Sequence, residues 1–383
     1  MPKLQLPPWL AGNPRRQAVA GGAGVLALIL ILATLTVGGV FSESSDRVLS
    51  VVATPTPTPA PPTPTPTPTP APSEPTRLNG RLVYPEELAA IEARLPLAIM
   101  FDNFIEARPQ HNISQADIVF EVVAEGGITR FLGVFWSNDP GPVLAVRSAR
   151  AYYLPWAAEV DGIYVHWGRA KSTNAAADVT STLESLGLRH YDGFFSGPPY
   201  FDRALDRLGP HDGIAYTDAL WQAAEGDGWS GPPEFESWPF KDDEPRAGGE
   251  DAAPTIDVGF GGPFFSDYAV TWTYDAETNG YARSQGGFEH VDGTTGETIE
   301  ARNVAVMVTS AAAAGDGTAH LVYDTTGSGD AVVFQDGVAI PGTWAKEGPY
   351  ARTRFYDAAG NEIAFNRGHT WIEVLSYDDP LSY

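Results

Sequence analysis

The chain has 383 residues, no cysteine and a formal net charge of −24. Without cysteine there are no disulfides, no thiolate catalysis and no Cys-based metal or cluster site. Residues 1–53 carry Lys3, Arg15, Arg16 and Arg47 against Glu43 and Asp46, which leaves −26 on the remainder; a body this acidic repels nucleic acid and anionic membrane surfaces, so no nucleic-acid partner is expected.

The first element in chain order is an apolar run without charge, 18–40, "AVAGGAGVLALILILATLTVGGV". At about 1.5 Å rise per residue it is long enough as a helix for a bilayer core of about 30 Å. Basic residues precede it and Glu43 and Asp46 follow, so the positive-inside bias puts the N-terminus in the cytoplasm and the body outside. Residues 1–53 are therefore expected to form a cytoplasmic N-terminus and single-pass membrane anchor. A cleaved signal peptide ending near "VVA", 51–53, is the alternative, but the apolar run exceeds the usual core of about 7–15 residues.

Residues 54–76, "TPTPTPAPPTPTPTPTPAPSEPT", alternate Thr with Pro. Proline lacks the N–H and biases its neighbour to extended φ/ψ, so neither helix nor ladder forms. A disordered, polyproline-like stalk of roughly 70 Å is expected, at about 3.1 Å per residue. It would hold the body clear of an envelope layer.

In 77–230, "PLAIMFDN" (96–103), "DIVFEVVAE" (117–125), "TRFLGVFW" (129–136) and "DGIYVHWG" (161–168) read as strands. "TNAAADVTSTLESLG" (173–187) and "TDALWQAAEG" (217–226) read as helices opening on threonine caps. The Gly/Pro/acid-rich tract ending at 254 reads as a linker over 231–254. In 255–383, short β runs such as "YAVTWTYD", "ARNVAVMV" and "TWIEVL" are joined by Gly/Asn/Asp turns. The fold class expected is α+β: a mixed α/β domain, then a mostly antiparallel β domain.

The run from "PLAIMFDN" through "SQADIVFEVVAEGGITRFLGVFW" to "RSAR" at 147–150, with "GTWAKEGPYARTRFYDAAGNEIAFNRGHTWIEVL" at 342–375, resembles the YerB family of bacterial envelope proteins, over essentially all of 95–376. The family's conserved region is a domain of unknown function. The resemblance implies an N-terminal and a C-terminal domain and a place in the cell envelope, and it supplies no catalytic mechanism. Members are commonly lipoproteins attached through an N-terminal cysteine; this chain has none, and an apolar helix stands in its place.

Charges inside the apolar strands are the main functional signal. With Gly126-Gly127 as a two-residue turn, Glu125 would pair with Ile128, Val123 with Arg130 and Glu121 with Leu132. Glu121, Glu125 and Arg130 would then share one strand face and neutralise one another, as a structural cluster or as one wall of a polar ligand pocket. Asp102-Asn103 ends a strand, followed by Arg108. Arg147 and Arg150 of "RSAR" offer guanidinium forks for an anion, or partners for the many acids. His166 closes an apolar strand, as a core histidine or a base. His211 is expected in a loop and "DTTGSGD", 324–330, as a hairpin turn. The seven histidines are scattered without HExxH, and there is no GxSxG, so no metal and no cofactor are expected. The expected function is binding of an envelope component, a cell-wall polymer or an envelope protein. The alternative is an enzyme acting on cell-wall glycan or peptide through Asp102, Glu121 or His166.

Overall fold

Strand pairing dominates residues 71–383, which, apart from 247, 250, 263 and 264, are the residues the computed structural model describes. The expected membrane helix at 18–40 and the Thr/Pro tract up to residue 70 lie outside the described residues. Among the described residues no helix is long and apolar enough to cross a membrane. Glu74–Pro75 already pair with Leu82–Val83, so the last residues of the expected stalk belong to the folded body.

One ten-stranded mixed sheet carries the fold. Its strands come first from β1 (Leu97–Asp102), β2 (Ile118–Glu125) and β3 (Ile128–Phe135). A short strand outside this sheet, β4 (Pro142–Leu144), follows, then β5 (Ile163–His166) and β6 (His190–Asp192) within it. β7 (Phe201–Arg203) and β8 (Gly213–Tyr216) join β4 in a small three-stranded sheet. A second, six-stranded sheet is built on β9 (Thr255–Val258), β10 (Val270–Asp275) and β11 (Gly280–Gln285). The main sheet resumes with β12 (Asn303–Thr309), β13 (Gly327–Gln335), β14 (Val338–Lys346), β15 (Arg354–Asp357) and β16 (Thr370–Ser376). Its order is β15-β14-β13-β12-β16-β2-β3-β1-β5-β6. β16 pairs in parallel with β12 over seven residues and with β2 over four. The strands of 77–230 and 255–383 thus share one sheet.

Both faces of that sheet are covered, which is why its central strands are apolar on both sides instead of alternating. On one face Phe120, Leu132, Ile372 and their neighbours pack against Tyr153 and Trp156 around helix α2 (Leu154–Ala158) and against helix α3 (Val179–Leu186); a first helix, α1 (Pro85–Glu92), contributes Ile91. On the other face Phe131, Val119 and Trp371 meet Ile256, Val270 and Trp272 of the second sheet and Leu220 of helix α4 (Thr217–Gly226). The body is mostly β with a few helices. The expected helix at 173–187 begins only at Val179: its cap is Asp178, which accepts from the Ser181 amide, not a threonine. Helix α4 has the expected span, but Thr217 is not its side-chain cap; its hydroxyl donates to Asp139 and the Gly141 carbonyl. "DTTGSGD" is not a tight turn throughout, since Gly327 already opens β13. Within 231–254, Trp238 is buried, donates to the Thr353 carbonyl at 2.7 Å and packs on Phe365, whereas 242–246 are exposed.

Gly126 and Gly127 both take positive φ, +62° and +82°, and Glu125 pairs with Ile128 as the two-residue turn requires. The register then shifts. Ala124 is bulged out, so Val123 faces Thr129, Val122 faces Arg130 and Glu121 faces Phe131. One extra residue on one strand turns every later side chain to the other face. Glu121 and Arg130 therefore lie on opposite faces of the sheet. The three-charge cluster expected from an unbulged hairpin is divided in two.

Candidate functional site

The first half of the divided cluster supports the "RSAR" segment. Arg150 grips Glu125 with both arms, Nε to Oε2 at 2.7 Å and Nη2 to Oε1 at 2.5 Å. Arg130 reaches the same carboxylate, Nη2 to Oε1 at 3.0 Å, and donates Nη1 to the Ser148 carbonyl at 2.9 Å. Burial raises the Glu125 pKa, but the two guanidiniums outweigh it and hold the carboxyl below its ordinary range. Arg150 also donates to the Ala149 carbonyl at 2.8 Å. Beside them, Arg147 Nε lies 3.1 Å from Asp102 Oδ2. Asp102 Oδ2 also meets His211 Nδ1 at 2.7 Å, and the His211 ring stacks on Phe104. Asp102, Glu125, Arg130, Arg147 and Arg150 thus form one framework around residues 147–150.

What the framework presents is a cavity of about 410 Å³, lined among others by Arg147, Trp167, Arg169, Lys171, Asp192, Phe194, Phe195 and Arg203. The chain crosses it at the ends of β5 and β6, where loops leave the sheet. The Trp167 indole is seated on two glycines: a Cβ at Gly193 would come within 2.7 Å of the ring, and one at Gly213 within 3.0 Å. Arg203 lies over Trp167 at 4.5 Å and pairs with Asp212 at 2.6 Å. Arg169 and Lys171 differ from the other cations here. Among the described residues neither side chain has a carboxylate partner or a hydrogen bond, and Arg169 lies over the Phe195 ring face at 5.6 Å. Asp192 Oδ1 accepts from the Gly168 and Phe194 amides at 2.8 and 3.0 Å, while its buried Oδ2 has no partner among the described residues.

His166 braces this wall from inside. It is fully buried; its Nδ1–H donates to the Gly168 carbonyl at 2.8 Å, so its Nε2 must accept from His190 Nδ1 at 3.2 Å. Burial drives its pKa down to about 4. A neutral ring with both nitrogens engaged positions Gly168 and Arg169 and is not placed to take a substrate proton.

The second half of the cluster lies on the other face, between the two sheets. Glu121 Oε2 accepts from Arg283 Nη2 at 2.5 Å, and its Oε1 accepts from Thr129 at 2.7 Å. Asn103 donates to Thr129 and accepts from Arg108 Nε at 3.1 Å, and Arg108 donates on to the Asp267 carbonyl. Arg283 Nη1 donates to His290 Nδ1, whose Nε2–H donates to Gln110 at 2.9 Å. Glu373, the strand neighbour of Glu121, accepts from Trp272 Nε1 at 2.9 Å. Burial first, and Glu121 second, push the Glu373 pKa well above the ordinary carboxylate range.

The residues singled out in the sequence therefore fall into three places. Asp102, Glu125, Arg130, Arg147 and Arg150 come together beneath the cavity. Asn103, Arg108 and Glu121 sit in the inter-sheet network, and His166 stands behind the cavity wall. Sequence reasoning missed Arg169, Lys171, Asp192 and Arg203 at the cavity, His211 on Asp102, and Arg283 and Glu373 in the network. Three of these had a visible signal. Glu373 is a lone acid in an apolar strand, as Glu121 is, and Arg169 and Lys171 follow a strand end in "HWGRAK". No group of His, Cys, Asp or Glu among the described residues is arranged to hold a metal ion.

Two family models cover most of the folded body. The N-terminal domain of a protein of unknown function, DUF3048, matches residues 84–230, and the C-terminal domain of the same family matches 262–372. The chain belongs to the DUF3048 family. A relative from Bacillus subtilis (strain 168), named "Putative lipoprotein YerB", is 28% identical over 306 residues, covering 76% of this chain and 84% of its own. A crystal structure of YerB protein from Bacillus subtilis superposes with a TM-score of 0.69 at 28% identity, over 81% of this chain and 100% of that one. In this DUF3048 protein the cationic cavity lies wholly within the N-terminal match. The Glu121 network joins both matches, because Arg283 and Trp272 come from the C-terminal one, and Glu373 follows its last matched residue.

Proposed function

We propose that the protein is a membrane-tethered, extracytoplasmic binding protein that captures an anionic envelope component in the cavity at the ends of β5 and β6. One observation carries the reading. In a body with a net charge of −26, Arg169 and Lys171 make no ion pair among the described residues on the rim of one cavity that Arg147 and Arg203 also line, with Asp192 the one acid in the lining. Holding like charges together costs free energy that an incoming anion recovers. Guanidinium forks suit carboxylate or phosphate, and the Trp167, Phe194 and Phe195 rings suit an apolar part beside it. The charge-free apolar run at 18–40, the Thr/Pro-rich sequence that follows it and the lipoprotein name of the Bacillus subtilis relative support an extracytoplasmic place.

The test is co-sedimentation of the 71–383 body with purified cell-wall sacculi and with envelope extracts. The expected result is binding that weakens as salt is raised and is lost in Arg169→Ala/Lys171→Ala. Binding that ignores both salt and the double substitution would overturn the reading. For the tether, protease added to cells with a permeable outer layer should digest the body; a protected body would refute the outward topology. An enzyme acting through Asp102, Glu121 or His166 lacks comparable support. The three side chains are buried, bonded and directed to Arg147 and His211, to Arg283, and to His190 respectively.

A further inference from the structure

A larger cavity lies on the other side of the same loop. Its volume is about 870 Å³, within the range of about 300–1,000 Å³ usual for small-molecule sites. Helix α4 forms its floor. Leu220, Trp221 and Ala224 of that helix are buried in the core, and Ala219, Gln222, Ala223 and Gly226 line the cavity at helical spacing. Small residues there leave the space open, and Gln222 is the one long side chain the helix projects into it. Tyr191, Tyr200 and Tyr216 line the opposite side, with Asp218 and Asp227 at the margin. The Tyr191 hydroxyl donates to Asp227 Oδ2 at 2.8 Å, which fixes that ring, and Trp229 packs against it at 5.2 Å.

The chemistry of this lining differs from that of the cationic cavity. No lysine or arginine lines it, so an anionic group has no partner and meets two carboxylates. Aliphatic side chains larger than proline are absent from the lining, so a lipid chain has little to bury against. What remains is three phenol rings and a rim of carboxylate, amide and hydroxyl groups. Rings offer flat faces to the C–H side of a sugar, and the rim groups accept and donate to its hydroxyls. The volume is too large for a lone ammonium ion held in an aromatic cage. We propose that the cavity beside α4 binds a neutral saccharide segment.

Residues 191–200 contribute to both cavities: Tyr191, Ser196 and Tyr200 line the one beside α4, and Asp192, Phe194 and Phe195 line the cationic one. The saccharide proposal does not depend on the cationic cavity and is tested apart from it.

The test uses the full-length chain in a detergent without a sugar headgroup, titrated by calorimetry with N-acetylglucosamine tetramer as the neutral probe. Saturable binding is expected. Gln222→Arg, an exposed helix position, should block the cavity without touching the core, and Tyr200→Ala should weaken binding by about tenfold, the size of one lost aromatic contact. Arg169→Ala/Lys171→Ala should leave affinity for this neutral probe unchanged. Absence of saturable binding to the folded wild-type chain overturns the proposal. So does binding unaffected by Gln222→Arg, or saturable binding of tetramethylammonium at this cavity with none of the tetramer. Loss of tetramer binding in the Arg169/Lys171 variant would place the saccharide in the cationic cavity and equally overturn it.

Discussion

Replacing Glu373 by glutamine should make the protein progressively more stable than the wild type as pH rises. Glu373 and Glu121 are strand neighbours, both fully buried, and among the described residues Arg283, bonded to Glu121, is the one cation paired with either. Two carboxylates in a low-dielectric site do not both ionise beside a single positive charge. The bonding locates the proton. Glu373 Oε1 accepts from Trp272 Nε1, and Oε2 has no donor among the described residues, which suits a carboxyl O–H directed at Glu121. The Glu373 pKa is raised in the folded state, well above its unfolded value of about 4.3. Above the unfolded pKa the folded protein therefore holds a proton that the unfolded chain has lost, so stability falls as pH rises, by about 1.4 kcal/mol per pH unit, until the folded pKa is passed. Glutamine keeps the shape, the acceptor for Trp272 and a donor toward Glu121, and does not titrate. Near pH 5 the two proteins should be close in stability, and the variant's lead should widen as pH rises toward the folded pKa of Glu373. Urea unfolding at pH 5, 6, 7 and 8 measures the gap, and groups that titrate equally in both proteins cancel from it. Parallel stability curves would refute the shared proton. A gap of opposite sign would mean that Glu373 is ionised and paired with Arg283.

Arg130→Met should cost about 1–3 kcal/mol in urea unfolding, below the cost of breaking an isolated buried pair, because Arg150 still holds both oxygens of Glu125. Glu159→Gln should cost more, about 3–5 kcal/mol by the same assay, since Lys346 and Arg352 would be left buried without their shared carboxylate. Burial raises the Glu159 pKa, but Lys346 and Arg352 outweigh it and depress it, so this contribution should be present above the unfolded pKa and fade as pH falls through the folded one. Limited proteolysis should cut first at the exposed 242–246, and the two fragments should stay together through gel filtration, because their strands share one sheet. Separation of the fragments without denaturant would contradict that pairing.

The strands were legible because apolar runs such as "LAIMFD" and "NVAVMV" are short, β-branched or aromatic, and bounded by turn residues. Their order in the sheet was not, because pairing between residues as distant as Ile118 and Thr370 leaves no local trace. The Gly126-Gly127 turn was readable from φ preference alone, but the bulge at Ala124 was not: alanine suits a regular strand as well as a bulged one. That one residue decided which face Glu121 took, and with it which charges meet. The "RSAR" arginines were visible as guanidinium forks near a strand end. Their role as framework under Arg169 and Lys171 depends on loops that converge only in three dimensions.

The place of β16 bears on how the molecule comes into being. A chain is made from its N-terminus, so β6-β5-β1-β3-β2 is complete long before residues 370–376 exist, and β2 waits with a row of unpaired amides and carbonyls along apolar residues. The block β15-β14-β13-β12 waits in the same way at β12. Bare apolar edges of this kind invite pairing with other chains, and late long-range closure prolongs the exposure. The strand near the C-terminus inserts between both edges at once. A chain broken off before residue 370 therefore presents two half-sheets with open edges, a form suited to aggregation or degradation, and arrival of β16 closes both edges in one step.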